Sequence, residues 1–172
     1  TGVGVLVFVA GTTFTGFALR KGFRFSCRAN DADQGAGAEE SVESLLSVLE
    51  SEGWKFSYGE LVNKSGDHKL DADVFAISPS GKAFAIDVKS HGGTICFSNE
   101  EQKFYRRYGK KIYSFEKDLL KSVRYQALRL KELKGVRYVA PILCFTKGWV
   151  EATGLYQDAN VYVFSSSMLV RE

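Results

Sequence analysis

The chain has 172 residues and a mass of 19.1 kDa, enough for one domain with a sizeable core and too few for a multidomain enzyme. An apolar fraction of 45% with 13% aromatic residues excludes a disordered chain, and two prolines beside seventeen glycines exclude a collagen-like one. Cys27, Cys96 and Cys144 are widely spaced and form no Cys/His pattern, so neither a disulfide framework nor a zinc site is predicted.

Charge is distributed unevenly along the chain, although the net charge is only +3. Residues 103–147 contain thirteen Lys and Arg against three acids, whereas the remaining residues comprise ten basic and seventeen acidic ones. A basic tract is typical of a protein that meets a polyanion, either nucleic acid or an anionic membrane. Carboxylates preceding such a tract favour a divalent metal ion that acts on phosphates.

Residues 1–19 carry no charged side chain, and eleven of them are apolar. At about 1.5 Å per residue a helix of this length reaches roughly 28 Å, close to the thickness of a bilayer core, and the basic cluster that follows would lie on the cytoplasmic side. We therefore expect a transmembrane anchor and a membrane-anchored protein facing the cytoplasm. The alternative is a pair of soluble strands, residues 3–9 and 14–19, in a soluble cytoplasmic protein.

A basic and polar linker over residues 20–36 is expected to lead into a single domain over residues 37–172. Apolar periodicity and glycine stops in this domain predict two helices, several strands and a basic hairpin. In chain order these are a helix over 37–52, an antiparallel meander of strands over 54–62, 73–78, 82–90 and 94–98, a hairpin over 103–113 that turns near Gly109, a helix over 116–133, and strands over 136–145 and 160–165. This order predicts an α/β sandwich around a mixed sheet.

Two carboxylates are expected to face each other on neighbouring strands. The loop over residues 79–81, Pro-Ser-Gly, has the composition of a three-residue hairpin. If Ser78 pairs with Lys82 across this loop, Asp73 stands opposite Asp87, with Cβ atoms roughly 5 Å apart. Because facing carboxylates repel, a cation is expected between them. Mg²⁺ is the natural candidate, since it binds one or two carboxylates together with water and substrate phosphate.

Two further side chains are expected beside this cation. Lys89 shares a strand face with Asp87 because residues two apart on a strand point the same way. Its amine is suited to hold or deprotonate an attacking water, or to balance charge on a phosphate. Glu39 falls at the margin of the apolar stripe of the first helix and is expected to face the sheet as a supporting acid or a ligand.

The string Ala72 to Ser90, ADVFAISPSGKAFAIDVKS, followed by Gly-Gly-Thr-Ile, resembles the core of the nuclease-related domain, a family of the restriction-endonuclease-like PD-(D/E)XK superfamily. The resemblance runs from about Gly35 to Val150. It implies a restriction-endonuclease-like mixed sheet flanked by helices, and a phosphodiesterase that uses Mg²⁺, or Mn²⁺ in its place, on nucleic acid, DNA above all. The site residues that it implies are Asp73, Asp87 and the Val88 main-chain carbonyl as metal ligands, Lys89 beside the water, and Glu39 in support.

The basic hairpin and one amide are the candidate contacts to nucleic acid. Basic residues interleave with tyrosines along the hairpin, a mixture typical of phosphate contact and base stacking; the alternative is a solvated hairpin. These basic residues are Lys103, Arg106, Arg107, Lys110 and Lys111. Gln126 lies on the inner stripe of the second helix, where an unpaired amide would cost about 1 to 3 kcal/mol. Its partner is expected to be the backbone or, as the family resemblance implies, the active-site edge or the DNA strand.

The sequence therefore predicts a metal-dependent nuclease with no small-molecule cofactor. One alternative from another class stays open, a nucleic-acid-binding module that keeps the fold without turnover. The presence of a functional side chain at each candidate site position favours the enzyme.

Overall fold

The computed structural model describes residues 35–61, 71–151, 153–156 and 159–169. Helix α1 covers residues 35–46 and continues into a 3-10 helix, Ser47–Glu52. The later elements are β1 (Lys55–Leu61), β2 (Asp71–Ile77), β3 (Ala83–Lys89), β4 (Thr94–Ser98), β5 (Lys103–Tyr108), β6 (Lys111–Ser114), α2 (Leu119–Lys134), β7 (Val139–Phe145), β8 (Trp149–Val150), β9 (Gly154–Tyr156), β10 (Val161–Ser165) and a 3-10 turn, Ser166–Met168. The strands and α2 belong to one compact unit, residues 38–172.

The predicted membrane anchor over residues 1–19, its alternative as two strands, and nearly all of the predicted linker lie outside the described residues. Within the described ranges, neither helix is long and apolar enough to span a membrane. The anchor and the localisation drawn from it therefore stay predictions.

The strands form two sheets, where the sequence predicted one. The main sheet has six strands in the order β1-β2-β3-β7-β10-β9, and the second has four in the order β6-β5-β4-β8. In the main sheet β1, β2 and β3 are antiparallel, whereas β3, β7 and β10 run parallel. The predicted mixed sheet between helices is therefore confirmed, with β9 rather than β10 at its edge.

The prediction that Thr94–Ser98 continues the meander is wrong. The edge of β3 that β4 would need is taken by β7, which pairs with β3 from Ala83 opposite Val139 to Lys89 opposite Phe145. The chain turns away instead at Gly93, which has a φ of 88°. A Cβ at Gly93 would lie 2.8 Å from the ring of Tyr108, so this close turn requires glycine.

The first helix also differs from its prediction. Residues 37–52 were expected to form one helix, but the last six adopt the tighter 3-10 form. The hydroxyl oxygens of Ser47 and Ser51 lie 2.8 Å and 2.9 Å from the carbonyl oxygens three residues earlier and donate to them. Serines that bond back to the preceding turn compete with regular α-helical hydrogen bonds.

The main sheet has an apolar layer on each side, one under α1 and one under α2. Alternation along β3 sends Ile86 and Val88 toward α1, and Ala83 and Ala85 toward α2, as predicted. The apolar stripe predicted for the second helix is also buried; its members are Leu119, Val123, Ala127 and Leu130. Asp87 and Lys89 consequently lie on the α2 side of the sheet.

The alternation along β1 and β2 changes face at one point. Tyr58 lies opposite Val74 on the α1 side, whereas Glu60, two residues on, pairs with Lys134 of α2 on the other side. Between them the ladder omits Gly59, which has a φ of 61°, and the residue across from it, Asp73. This left-handed backbone, which glycine adopts without cost, switches the face and places Asp73 at an interruption of the ladder.

Candidate active site

The β2–β3 hairpin brings the two predicted carboxylates together. Ser78 donates its N–H to the Lys82 carbonyl over 2.8 Å, which is the predicted pairing, and the paired region ends with Val74 opposite Ile86. One step beyond, the Asp73 carboxylate accepts a hydrogen bond from the Val88 N–H at 2.6 Å. Asp73 therefore lies beside Asp87, and its carboxylate takes the place of a main-chain carbonyl as the acceptor for Val88.

Asp87 is buried, with only 2% of its surface exposed. Its Oδ1 accepts a hydrogen bond from the Gln126 amide at 2.9 Å. Its Oδ2 lies 2.7 Å from Lys89 Nζ as an ion pair, although the contact lacks hydrogen-bond geometry. A buried carboxylate is thus held by one amide and one amine, the arrangement that makes burial of a charge tolerable.

The pKa of Asp73 is raised from its ordinary value of 3.8 to about 7. Burial is the largest cause and the charge of Asp87 the second, while the hydrogen bond from Val88 and the charge of Lys89 act in the opposite direction. The charge of Asp87 therefore destabilises the ionised form of Asp73, and a cation between the two carboxylates would relieve that repulsion.

Glu39 is exposed, so it is not packed against the sheet, and its part in the site stays a prediction. Ala38 extends the predicted stripe of Val42 and Leu46 by one turn and packs with them against the sheet, whereas Glu39 lies beside that stripe. Glu39 makes no hydrogen bond or ion pair within the described part of the chain. Its charge nevertheless contributes to the raised pKa of Asp73, which puts it within electrostatic range of the site.

Gln126 is buried on the inner stripe of α2, as predicted, and combines the two partners that the sequence left open. Its Nε2 donates to Asp87 Oδ1 at 2.9 Å and to the Asp71 main-chain carbonyl at 3.1 Å. One amide thus links α2 to the carboxylate of β3 and to the first residue of β2. Its Oε1 is buried and has no hydrogen-bond partner in the described structure.

The model of the nuclease-related domain family matches residues 34–146, more than half of the chain. The chain belongs to the nuclease-related domain family. The predicted membership is therefore confirmed, and the matched span includes every site residue described above. No curated protein and no solved structure matches the chain. Membership indicates a nuclease-related function for this nuclease-related domain.

Three oxygen donors of this nuclease-related domain lie on β2 and on neighbouring residues of β3. The carboxylates of Asp73 and Asp87 are two of them. The Val88 carbonyl is the third, because the N–H and carbonyl of a strand residue point the same way and the Val88 N–H points to Asp73. Hard oxygen donors, completed by water and phosphate, match the preference of Mg²⁺. The described residues contain no cluster of three or more His, Cys, Asp or Glu side chains able to hold a metal.

The thiol beside the site is not a candidate nucleophile. Cys144 lies opposite Val88 in the sheet. Burial, and to a lesser extent the charge of Asp87, raises the pKa of its thiol to about 12. A thiol that stays protonated at neutral pH cannot act as a thiolate.

The basic hairpin forms as predicted, but its five cations are not equivalent. Lys103, Lys110 and Lys111 are exposed. Arg107 pairs with Glu151, and the Arg106 guanidinium lies over the Phe115 ring, 5.4 Å from its centroid. Arg106 also pairs with Tyr113 in the row that faces the core, so it is less available to a polyanion than the lysines.

Sequence reasoning missed two participants in the site. The Asp71 carbonyl acts through its main chain, which no side-chain pattern reveals. Gly59 carried a usable signal, because an isolated glycine inside a strand pattern indicates a bulge.

Proposed function

We propose that this nuclease-related domain is a Mg²⁺-dependent nuclease that hydrolyses phosphodiester bonds of DNA. The supporting observation is the convergence of Asp73 and Asp87 from neighbouring strands, with the amine of Lys89 2.7 Å from Asp87. A binding module without turnover would not need a buried carboxylate, Asp73, whose pKa is raised by burial and by a second carboxylate, Asp87. The alternative is therefore the weaker explanation of this arrangement.

Each side chain has a separate task in this proposal. Asp73, Asp87 and the Val88 carbonyl hold the ion, and a bound Mg²⁺ supplies Lewis-acid stabilisation of charge on the phosphate. Lys89, which is 23% exposed, orients the attacking water and balances charge that develops in the transition state. Gln126 keeps Asp87 in one orientation. Asp73 must be deprotonated to bind the ion, so binding releases a proton and weakens as the pH falls below the pKa of about 7 that Asp73 has without metal.

The deciding experiment is cleavage of circular and linear duplex DNA with Mg²⁺ or Mn²⁺. We expect the wild type to cleave, and Asp87→Asn and Lys89→Met to cleave at least about a hundred-fold more slowly, the usual effect of one positioned electrostatic or acid-base group. Lys55→Met is the matched control, since it removes an exposed lysine at the far end of β1. It should cleave at the wild-type rate.

A second readout does not depend on activity. Because a ligand that binds only the folded state raises its stability, Mg²⁺ should raise the melting temperature of the wild type more than that of Asp87→Asn. Equal shifts, or wild-type protein that cleaves no DNA with either metal, would reject the catalytic proposal and favour the binding module.

A further inference from the structure

Four residues form a row across the second sheet on the face that the core does not use. The register pairs Trp149 with Thr94, Thr94 with Arg107, and Arg107 with Ile112. The adjacent row, which contains Ile95 and Val150, packs into the core. The first row, here called the outer row, therefore points the opposite way.

The two ends of the outer row expose large apolar side chains. Trp149 is 76% exposed and Ile112 is 66% exposed. With strands about 4.8 Å apart, the row extends over roughly 14 Å. Thr94 and Arg107 separate these two side chains, and an indole exposed to this extent is available for stacking.

The charge around the outer row is graded along the sheet. At the end near the Gly109 turn, the exposed lysines are Lys110, Lys111 and Lys147, and the Arg107 charge is paired with Glu151. The opposite end of the β4–β5 hairpin carries the exposed acids Glu100 and Glu101 together with one exposed lysine, Lys103. The row that contains Trp149 thus lies at the positive end.

This positive end is also the end close to the candidate active site. Thr94 follows Lys89 by five residues, a span of at most about 18 Å. The main-chain N–H of Trp149 donates to the Gly93 carbonyl at 2.9 Å, and the main-chain N–H of Thr146 donates to the Lys89 carbonyl at 3.0 Å. The segment that leads to Trp149 is therefore hydrogen-bonded to the segment that follows Lys89.

We propose that the outer row binds an unpaired nucleic-acid strand, with a base stacked on Trp149 and the neighbouring lysines on phosphates. An exposed indole beside cations is the combination that binds single strands without sequence preference. A second copy of the chain fits less well, because a two-fold contact through this row would bring like-charged lysines together. The inference rests on the proposed function for the class of ligand, and it adds the surface that holds that ligand.

Tryptophan fluorescence tests this surface directly, since the chain has two tryptophans and Trp54→Phe leaves Trp149 alone. We expect a short single-stranded DNA of mixed sequence, added in EDTA to prevent cleavage, to quench Trp149 emission to saturation. Trp149→Ala should weaken binding of a labelled form of this strand about five- to hundred-fold, the effect of losing one stacked base. Tyr138→Ala, which removes an exposed aromatic residue just before β7, should leave binding unchanged.

Three results would overturn the inference. One is an absence of quenching, and another is equal affinity of the wild type and Trp149→Ala for the strand. The third is emission that depends on protein concentration together with a dimer that Trp149→Ala dissociates, which would assign the row to a second copy. Failure of the nuclease proposal looks different, because quenching would persist while duplex DNA stays uncut with Mg²⁺.

Discussion

Asp73 connects the geometry of the site to the pH of the solution. Its carboxylate is fixed by the Val88 N–H at 2.6 Å, yet burial and the charge of Asp87 raise its pKa to about 7. The folded protein therefore holds a proton at Asp73 over a pH range in which the unfolded chain has already released it. Folding and proton binding are linked through this one side chain.

In metal-free solution the free energy of unfolding should fall as pH rises from about 3.8 to about 7, and this fall should end above pH 7. The sign follows because the folded state binds more protons than the unfolded state between these two pKa values. Asp73→Asn should lack this part of the slope while still offering Val88 an acceptor. Thermal unfolding of both proteins across this range measures the difference, and superimposable pH profiles would contradict the prediction.

Helix α2 contributes more to the site than an apolar face, because Gln126 reaches two strands at once. Replacing it with Leu leaves Asp87 Oδ1 and the Asp71 carbonyl without a donor. We expect Gln126→Leu to lower the free energy of unfolding by about 1 to 3 kcal/mol. The neighbouring change Tyr125→Leu, at a position 44% exposed, should stay within about 0.5 kcal/mol of the wild type. Urea denaturation measures the free energy of unfolding of both variants. Equal losses would show that Gln126 does not support Asp87.

Strand β1 affects the site only through its backbone at Gly59. A Cβ there would meet nothing within 4 Å, but the φ of 61° is strained for any residue with a side chain. Gly59→Ala should therefore cost about 1 to 2 kcal/mol, and Gly59→Asn less, because Asn tolerates the left-handed region better.

The same substitutions test the link between Gly59 and Asp73. If the left-handed residue sets the interruption at which Asp73 sits, Gly59→Ala should also reduce the stabilisation by Mg²⁺, and Gly59→Asn should recover part of it. A variant that loses stability yet keeps the full Mg²⁺ response would separate the strain from the site.

The elements that were predicted well are those whose structure depends on residues close together in the sequence. The β2–β3 hairpin follows from a three-residue turn and strand alternation, and these place Asp73, Asp87 and Lys89 together. The fate of β4 depends instead on β7, which lies about fifty residues later and takes the edge of β3. The exposure of Glu39 could not be predicted, because a residue at the margin of an apolar stripe can lie on either side of the buried face.

At the scale of the molecule, the basic tract is divided by the fold into paired and exposed cations. Lys110 and Lys111 are exposed next to the Gly109 turn, so we expect them to contact phosphates. Replacing both with Ala should weaken binding to all DNA sequences and flatten the dependence of log affinity on log salt by roughly two. The matched control is Arg106→Ala, whose guanidinium lies over Phe115. Arg106→Ala should change this slope less than the double lysine variant does. If it changed the slope more, Lys110 and Lys111 would not be phosphate contacts.

Two glycines, one in the turn after Lys89 and one between β7 and β8, have no space for a side chain. A Cβ at Gly93 would lie 2.8 Å from the Tyr108 ring, and one at Gly148 would lie 2.8 Å from the His91 carbonyl oxygen. The chain therefore packs closely where it passes from the strand of Lys89 into the second sheet. If this sheet binds a strand of substrate, the distance between the bound base and the active site is fixed. The cut would fall at a constant number of nucleotides from the bound base, and complete digestion of an end-labelled strand would stop at one limiting length.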